Sequence, residues 1–395
     1  MSERHVADAE PRPAEPTEMA AKDGTKHVII STFDSPANPH YNGGGVAVIE
    51  MMARQLAQYF DVTVITVGHG GSPEMHNGVR YRQLPISWAG PRAGQLLFHA
   101  LLPFVVMRTP HDLWIENFTP PFSTSFLPLF SRAPIVGFAQ NLCGKEMSDR
   151  YRLPFFLVER LGLRFYRNVV VLNSAHREIV RHFSPSTTVQ VIPNGIDKRP
   201  LNEEVLSRRD HILFLGRIDI TVKGLDLLLA AYEMSGLAMP LLIAGSGTPN
   251  EERKLAELLT ATRGDIRRVG HVTGERKREL LEGSAIVMMP SRYETFGLAA
   301  LEGMSYAKPV VHFDLPTLRW IGDVSVPSFD VGALAGAMRD LADNESARRE
   351  LGRTAHATSQ RYSSDTTLDR YLSLVQGLLN EPSSVAGEEG GTPCQ

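Results

Sequence analysis

The chain alternates short apolar runs with longer segments of helical periodicity. Residues 26–32 (KHVIIST), 62–67 (VTVITV), 112–116 (DLWIE), 134–139 (PIVGFA) and 169–172 (VVVL) are apolar almost throughout rather than at every second position. Runs of that kind predict strands buried on both faces. Between the first two, residues 46–60 place Ile49, Met52, Leu56 and Phe60 on one helical face. The pattern pauses after residues 188–192 (TVQVI) at Pro193-Asn194-Gly195, a turn signal, and at a polar stretch over 197–210. It then resumes with 211–215 (HILFL), 240–244 (PLLIA), 266–269, 285–290 (AIVMMP) and 309–313 (PVVHF), most of them followed by a helical pattern.

Apolar strands separated by helices predict parallel sheets covered on both sides, and connection handedness makes them doubly wound. The fold class expected is therefore α/β: two doubly wound, parallel-sheet, Rossmann-like domains facing a cleft. Residues 26–193 form the first domain and 194–362 the second. Residues 363–380 form a final helix with no strand after it. Residues 1–25 and 381–395 are polar and poor in apolar side chains, which predicts disordered tails.

Composition narrows the function. A length of 395 residues is enough for two or three domains with large cores. A net charge of −3 argues against a polybasic nucleic-acid binder. Two cysteines, Cys143 and Cys394, exclude a disulfide scaffold and a cysteine-built zinc site. With no apolar leader and no run near the ~20 residues of a membrane span, a cytoplasmic protein is expected.

Several motifs carry chemistry. Gly43-Gly44-Gly45 stands before the first helix, where glycines admit a close ligand and a helix N-terminus favours an anion. It lacks the spacing of a dinucleotide fingerprint, and no acidic residue ends the second strand, so a nicotinamide role is weakly supported. Gly216 and Arg217 follow the 211–215 strand, and Lys223 is expected to open the next helix. Two cations on that sheet edge suit a diphosphate. After 285–290 comes SRYETFGLAALE, with Glu294 in a loop and a helix starting near Gly297. Free N–H groups around Phe296, Gly297 and Leu298 would meet a phosphate or a sugar, and Glu302 could accept from a vicinal diol. Ala244-Gly245-Ser246-Gly247 reads as a turn alone. His271 and His312 read as core residues. No D-x-D, H-E-x-x-H, G-x-S-x-G or Walker lysine occurs, so no metal and no cofactor are expected.

The stretches LGRIDITVKGLDLLLAA, LLIAGSG, RVGHV and ETFGLAALEGMSYAKPVV together resemble the C-terminal domain of retaining glycosyltransferases of family 4, which have the GT-B fold. Glu294 and Glu302 match that family's E-x7-E motif. GGGVAVIEMMARQLA, VTVITV and VIPNGID fit the N-terminal half more loosely. The resemblance implies a nucleotide-diphosphate sugar donor on the second domain. Arg217 and Lys223 would hold its diphosphate, and Glu302 its ribose. Glu294 and the backbone at Phe296–Leu298 would hold its sugar, with main-chain groups near Val272 beside the base. Gly43–Gly45 would close over the phosphates, and the acceptor would bind the first domain. It further implies metal independence and a final helix that crosses back to the first domain. Where the family usually places a donor-contacting histidine, this chain has Gln140-Asn141. Gln140 keeps a hydrogen bond but carries no charge.

A small-molecule acceptor of a biosynthetic pathway is the expected partner. A lipid or glycan acceptor at a membrane surface is the alternative, since residues 151–181 interleave arginines with Leu153, Phe155, Phe156, Leu161 and Phe165. That stretch is expected to lie mostly against its own domain. A catalytically silent nucleotide-sugar binder, motivated by Gln140, is a further alternative. Oligomeric state is not encoded in any of these patterns.

Overall fold

The computed structural model describes residues 25–33, 44–68, 75–322 and 324–380. Gly43 and the expected disordered tails, apart from Thr25, lie outside the described residues. The first sheet contains β1 (His27–Ser31), β2 (Asp61–Val67), β3 (Met75–His76), β4 (Val79–Leu84), β5 (Leu113–Asn117), β6 (Ile135–Ala139), β7 (Asn168–Val171) and β8 (Thr188–Val191). Its order is β3-β4-β2-β1-β5-β6-β7-β8, parallel except for the β3–β4 hairpin. The second contains β9 (His211–Leu215), β10 (Leu241–Ala244), β11 (Ile266–Gly270), β12 (Ser284–Met289), β13 (Val310–Phe313) and β14 (Val324–Val326). Its order is β11-β10-β9-β12-β13-β14, all parallel.

The continuous apolar runs are explained by two-sided burial. Successive strand side chains alternate between faces. Val28, Ile30, Val64, Ile115 and Phe138 join the core under helices Gly44–Leu56 and Ser364–Asn380. Their neighbours Ile29, Ile65, Trp114 and Ala139 join the opposite core, under helices Gly90–Arg108, Phe155–Leu163 and Ser174–Phe183. The second sheet repeats the device. Ile212, Phe214 and Ile243 face helices Leu225–Ser235 and Val331–Asp343, whereas Leu213 and Val287 face helices Gly274–Gly283, Leu298–Ser305 and Glu345–Ser359.

β3, β4 and β14 were not anticipated. β4 (VRYRQL) alternates apolar and charged positions because it lies toward the sheet's edge, so it lacks the two-sided signal. The β3–β4 turn uses Asn77 and Gly78, both at positive φ, as a two-residue hairpin requires. β14 is only three residues long.

The chain passes between the domains twice, and the two passages touch. Ile196 N donates to Tyr362 O at 3.0 Å, and Ser364 N to Ile196 O at 3.0 Å. Thr367 Oγ1 donates to Pro193 O at 3.0 Å. Helix Ser364–Asn380 then lies against the first domain, with Tyr371, Leu374, Val375 and Leu378 in that core.

Candidate functional site between the two sheets

The second-domain residues come from the ends of β9 and β12, neighbouring strands where ligands of open α/β sheets bind. Lys223 Nζ lies 2.6 Å from Glu294 Oε2, with the two side chains 20% and 15% exposed. Ser291 Oγ donates to the same oxygen at 3.4 Å, and Thr317 Oγ1 donates to Glu294 O at 2.5 Å. Arg292 ties this loop down by a two-pronged pair to Asp226, at 2.8 and 2.7 Å, and its N–H donates to Val222 O at 2.9 Å.

Lys223 does not open the long helix as expected. It closes a four-residue helix, Ile220–Lys223, capped by Asp219 Oδ1 on Val222 N, and Leu225–Ser235 starts after a break at Gly224. Gly224 has φ +65°, and a Cβ there would lie 1.9 Å from Pro290 O. Only glycine lets the chain turn that close to the end of β12. Arg217 stays half exposed, 3.8 Å from Asp219 Oδ2.

The 244–247 segment does more than turn. A Cβ on Gly245 would lie 1.7 Å from Gly216 O, and one on Gly247 would lie 2.4 Å from Ile218 O. Ile218 N donates to Ser246 O at 2.8 Å, and Gly216 N to Ala244 O at 3.0 Å. The turn thus supports the loop that carries Arg217.

Gly297 caps helix Leu298–Ser305 at φ +85°. The N–H groups at the start of such a helix have no intrahelical acceptor. The Phe296 ring is buried and stacks on Trp320 at 4.6 Å, and Trp320 Nε1 donates to Phe296 O at 2.9 Å. Glu302 pairs with Lys277 Nζ at 2.8 Å, and neither side chain is fully buried. The Val272 side chain belongs to the core with Leu280 and Leu281.

The first domain faces these groups. A Cβ on Gly44 would lie 2.5 Å from Leu298 Cδ1, and one on Gly45 would lie 2.6 Å from Gln140 Oε1. Gln140 Nε2 donates to Gly45 O at 3.4 Å. Gln140, Gly44, Gly45 and Leu298 therefore meet at one place, while Gly43 lies outside the described residues. The seam continues through Thr295 Oγ1 donating to Asn141 Oδ1 at 3.2 Å and Asn173 Nδ2 donating to Thr295 O at 2.7 Å. Tyr293 Oη donates to Asp149 Oδ2 at 2.7 Å. Burial and Asp149 push the Tyr293 phenol up to about 12, so it remains a donor.

Sequence reasoning missed Glu146, Lys277, Asn173 and Tyr293. Glu146 is half-buried in helix Gly144–Tyr151 and faces Arg217, Arg150 and Lys223. Burial raises its carboxyl above the usual range, with Asp219 adding to the rise and the three cations opposing it. Glu146 and Lys277 sit in charged helical stretches that give no signal of their own. Of the two histidines expected in cores, His312 is buried with Nδ1 2.8 Å from Phe313 O, but His271 is exposed because it lies just past the end of β11.

Two family profiles match. "Glycosyl transferases group 1" covers residues 209–344, and "Glycosyltransferase Family 4" covers 41–199. The D-rhamnosyltransferase WbpZ of Pseudomonas aeruginosa is 29% identical over 228 residues, covering 50% of this chain and 59% of that protein. An uncharacterized glycosyltransferase of Methanocaldococcus jannaschii is 30% identical over 315 residues, 72% of this chain and 79% of the relative. The chain spans about half the length of most of the curated relatives it matches. Anabaena HepE in complex with UDP-glucose superposes with a TM-score of 0.70 at 14% identity, covering 89% of this chain and 100% of that one. With matching profiles on both sheets and a GT-B fold, the chain belongs to the family 4 glycosyltransferases.

Proposed function

We propose that the protein transfers a sugar, with retention of anomeric configuration and without a metal, from a nucleotide-diphosphate sugar to a small-molecule acceptor. The observation that carries this reading is the convergence of Arg217, Lys223–Glu294 and the Leu298–Ser305 helix start opposite Gly44, Gly45 and Gln140. Arg217 and Lys223 hold the diphosphate and Glu302 takes the ribose hydroxyls, with Lys277 fixing its carboxylate. Glu294 and the backbone at Phe296, Gly297 and Leu298 hold the donor sugar. The Val272 main chain flanks the base, and Gln140 faces sugar and acceptor as a neutral hydrogen-bonding group.

Breaking the sugar–phosphate bond places charge on the diphosphate. Cations and N–H dipoles already fixed there stabilise that charge without reorganising. The leaving phosphate oxygen takes the acceptor's proton as the acceptor oxygen joins the same sugar face. The seam through Thr295 and Tyr293 brings the domains together and keeps water from the reacting centre.

The test is ligand-induced stabilisation by UDP, GDP, ADP and dTDP, with NAD as control, on wild type and Lys223→Ala. A ligand that binds only the native state raises its melting temperature. The expected result is a shift with one of the bases, lost in Lys223→Ala. No shift with any nucleotide overturns the donor site.

A second reading of the acceptor rests on its own observation. Leu153, Leu157 and Leu161 form an exposed stripe, although their neighbours Phe155, Phe156 and Phe165 are only half exposed. An apolar stripe among arginines suits a lipid-borne acceptor at a membrane surface.

A further inference from the structure

Glu146 is a charged side chain of the cleft that donor binding does not employ. Its helix is fixed at the start by Glu159, whose Oε2 accepts from Gly144 N at 2.8 Å and from Ser123 Oγ at 2.5 Å. Glu146, Asp149 and Arg150 share a face at spacings of three and four residues. That face lies against the second domain, where Asp149 accepts from Tyr293 and Arg150 Nη1 stands 3.8 Å from Asp219 Oδ2. Glu146 is thereby held before Arg217 and Lys223, acting on both electrostatically while making no direct ion pair among the described residues.

We infer that Glu146 is a built-in competitor of the donor: it supplies counter-charge to Arg217 and Lys223 in the empty cleft and takes up a proton when an anionic diphosphate claims them. This rests on the donor-site reading above. Two like charges in a poorly solvated site do not both persist, and the weaker acid gains the proton. Burial already favours protonated Glu146, and an incoming diphosphate adds to that preference. The sign follows. Wild-type affinity rises as pH falls and levels off once Glu146 is protonated in the free protein as well.

The charged and titratable groups facing Glu146 are Cys143, Asp149 and Arg150 on its own helix and cap, and Arg217, Asp219, Lys223 with its partner Glu294, and Tyr293 across the cleft. Burial pushes the Cys143 thiol up, and Tyr293 is also raised, so neither titrates near neutrality.

The experiment is titration calorimetry with UDP-glucose and GDP-mannose, whose diphosphates carry no proton that titrates near neutrality. Wild type, Glu146→Gln, Glu146→Ala and Lys223→Ala are compared at several pH values and in buffers of different ionisation enthalpy. At the alkaline end both Glu146 variants bind about tenfold tighter than wild type, as a coupling of ordinary size implies. Wild type approaches them at the acid end, and only wild type takes up a proton on binding. Equal or weaker binding by both Glu146 variants, where wild type binds and Lys223→Ala does not, overturns the inference and leaves the donor site standing. Failure of folded wild type to bind either donor, together with no thermal shift from UDP, GDP, ADP or dTDP, overturns both.

Discussion

Glu116 shows how one side chain couples the first domain to pH. It lies in β5 with its carboxyl inside the core, accepting from Ser125 N at 3.1 Å and from the hydroxyls of Ser125 and Tyr166. Burial pushes the carboxyl up to about 7, only partly offset by those donors. The native state therefore holds a proton that the unfolded chain has released. Stability falls as pH rises from the ordinary glutamate range to about 7, and stays level above it. A gap of that size corresponds to at most about 3 kcal/mol. Glu116→Gln keeps an acceptor for the Ser125 N–H and cannot ionise. Urea denaturation at about pH 5 and about pH 8 is expected to show wild type losing stability relative to the variant across that window. A constant difference between the two proteins would remove Glu116 from the pH dependence.

The elements around the site are held by close approaches rather than by long contacts. Gly224 lets Lys223 end one helix beside Pro290 while the next begins, and Gly245 lets the 244–247 turn press on Gly216. Gly236 has nearly the same φ as Gly224, +66° against +65°, but a Cβ there would meet nothing within 4 Å. The pair separates backbone strain from crowding. Gly236→Ala is expected to cost about 1 kcal/mol, the left-handed penalty alone. Gly224→Ala adds a clash with Pro290 O and is expected to cost about 2–4 kcal/mol. Because the clash moves Lys223 away from Glu294, it should also weaken nucleotide binding. Equal melting temperatures and equal nucleotide affinities for the two variants would show that the approach is not tight in solution. This scale also divides what the sequence revealed from what it hid. Strands buried on two faces announce themselves by continuous apolar runs, and Glu294 and Glu302 stood out through their spacing beside such a run. β4 gave no such run, being half-exposed. Lys277 and Glu146 acquire meaning only when helices Gly274–Gly283 and Gly144–Tyr151 are brought against Glu302 and Arg217, which no local pattern encodes. Gly245 was legible as a turn, but its contact with Gly216 depends on β9 and β10 being neighbours.

At the scale of the whole molecule the two domains differ in what they offer outward. The second brings its cations and carboxylates to the cleft. The first carries exposed apolar side chains on the helical layer that also faces the cleft with Asp149. Leu153, Leu157 and Leu161 remain 56%, 53% and 51% exposed, flanked by Arg152, Arg160 and Arg164. Helix Gly90–Arg108 covers the same face of the sheet and exposes Leu96, Phe104 and Met107, with Trp88 just before it. Phe122 links the two helices, with its ring 5.9 Å from His99 and 5.5 Å from Phe155. Among the described residues no helix is long and apolar enough to cross a membrane, and an exposed apolar stripe edged by arginines suits a helix that lies on the surface. Exposed leucines would enter the interface while arginines met anionic headgroups, each cation contributing on the order of 1 kcal/mol near the surface. If the acceptor is lipid-borne, the protein is expected to float with anionic phosphatidylglycerol vesicles and not with neutral phosphatidylcholine vesicles. Paired Leu157→Glu and Leu161→Glu changes should abolish flotation. Both side chains are exposed and neither belongs to the donor site, so nucleotide binding should survive. Equal recovery with neutral vesicles, or flotation that persists in the double variant, would return the acceptor to the small-molecule class, with the cleft unchanged.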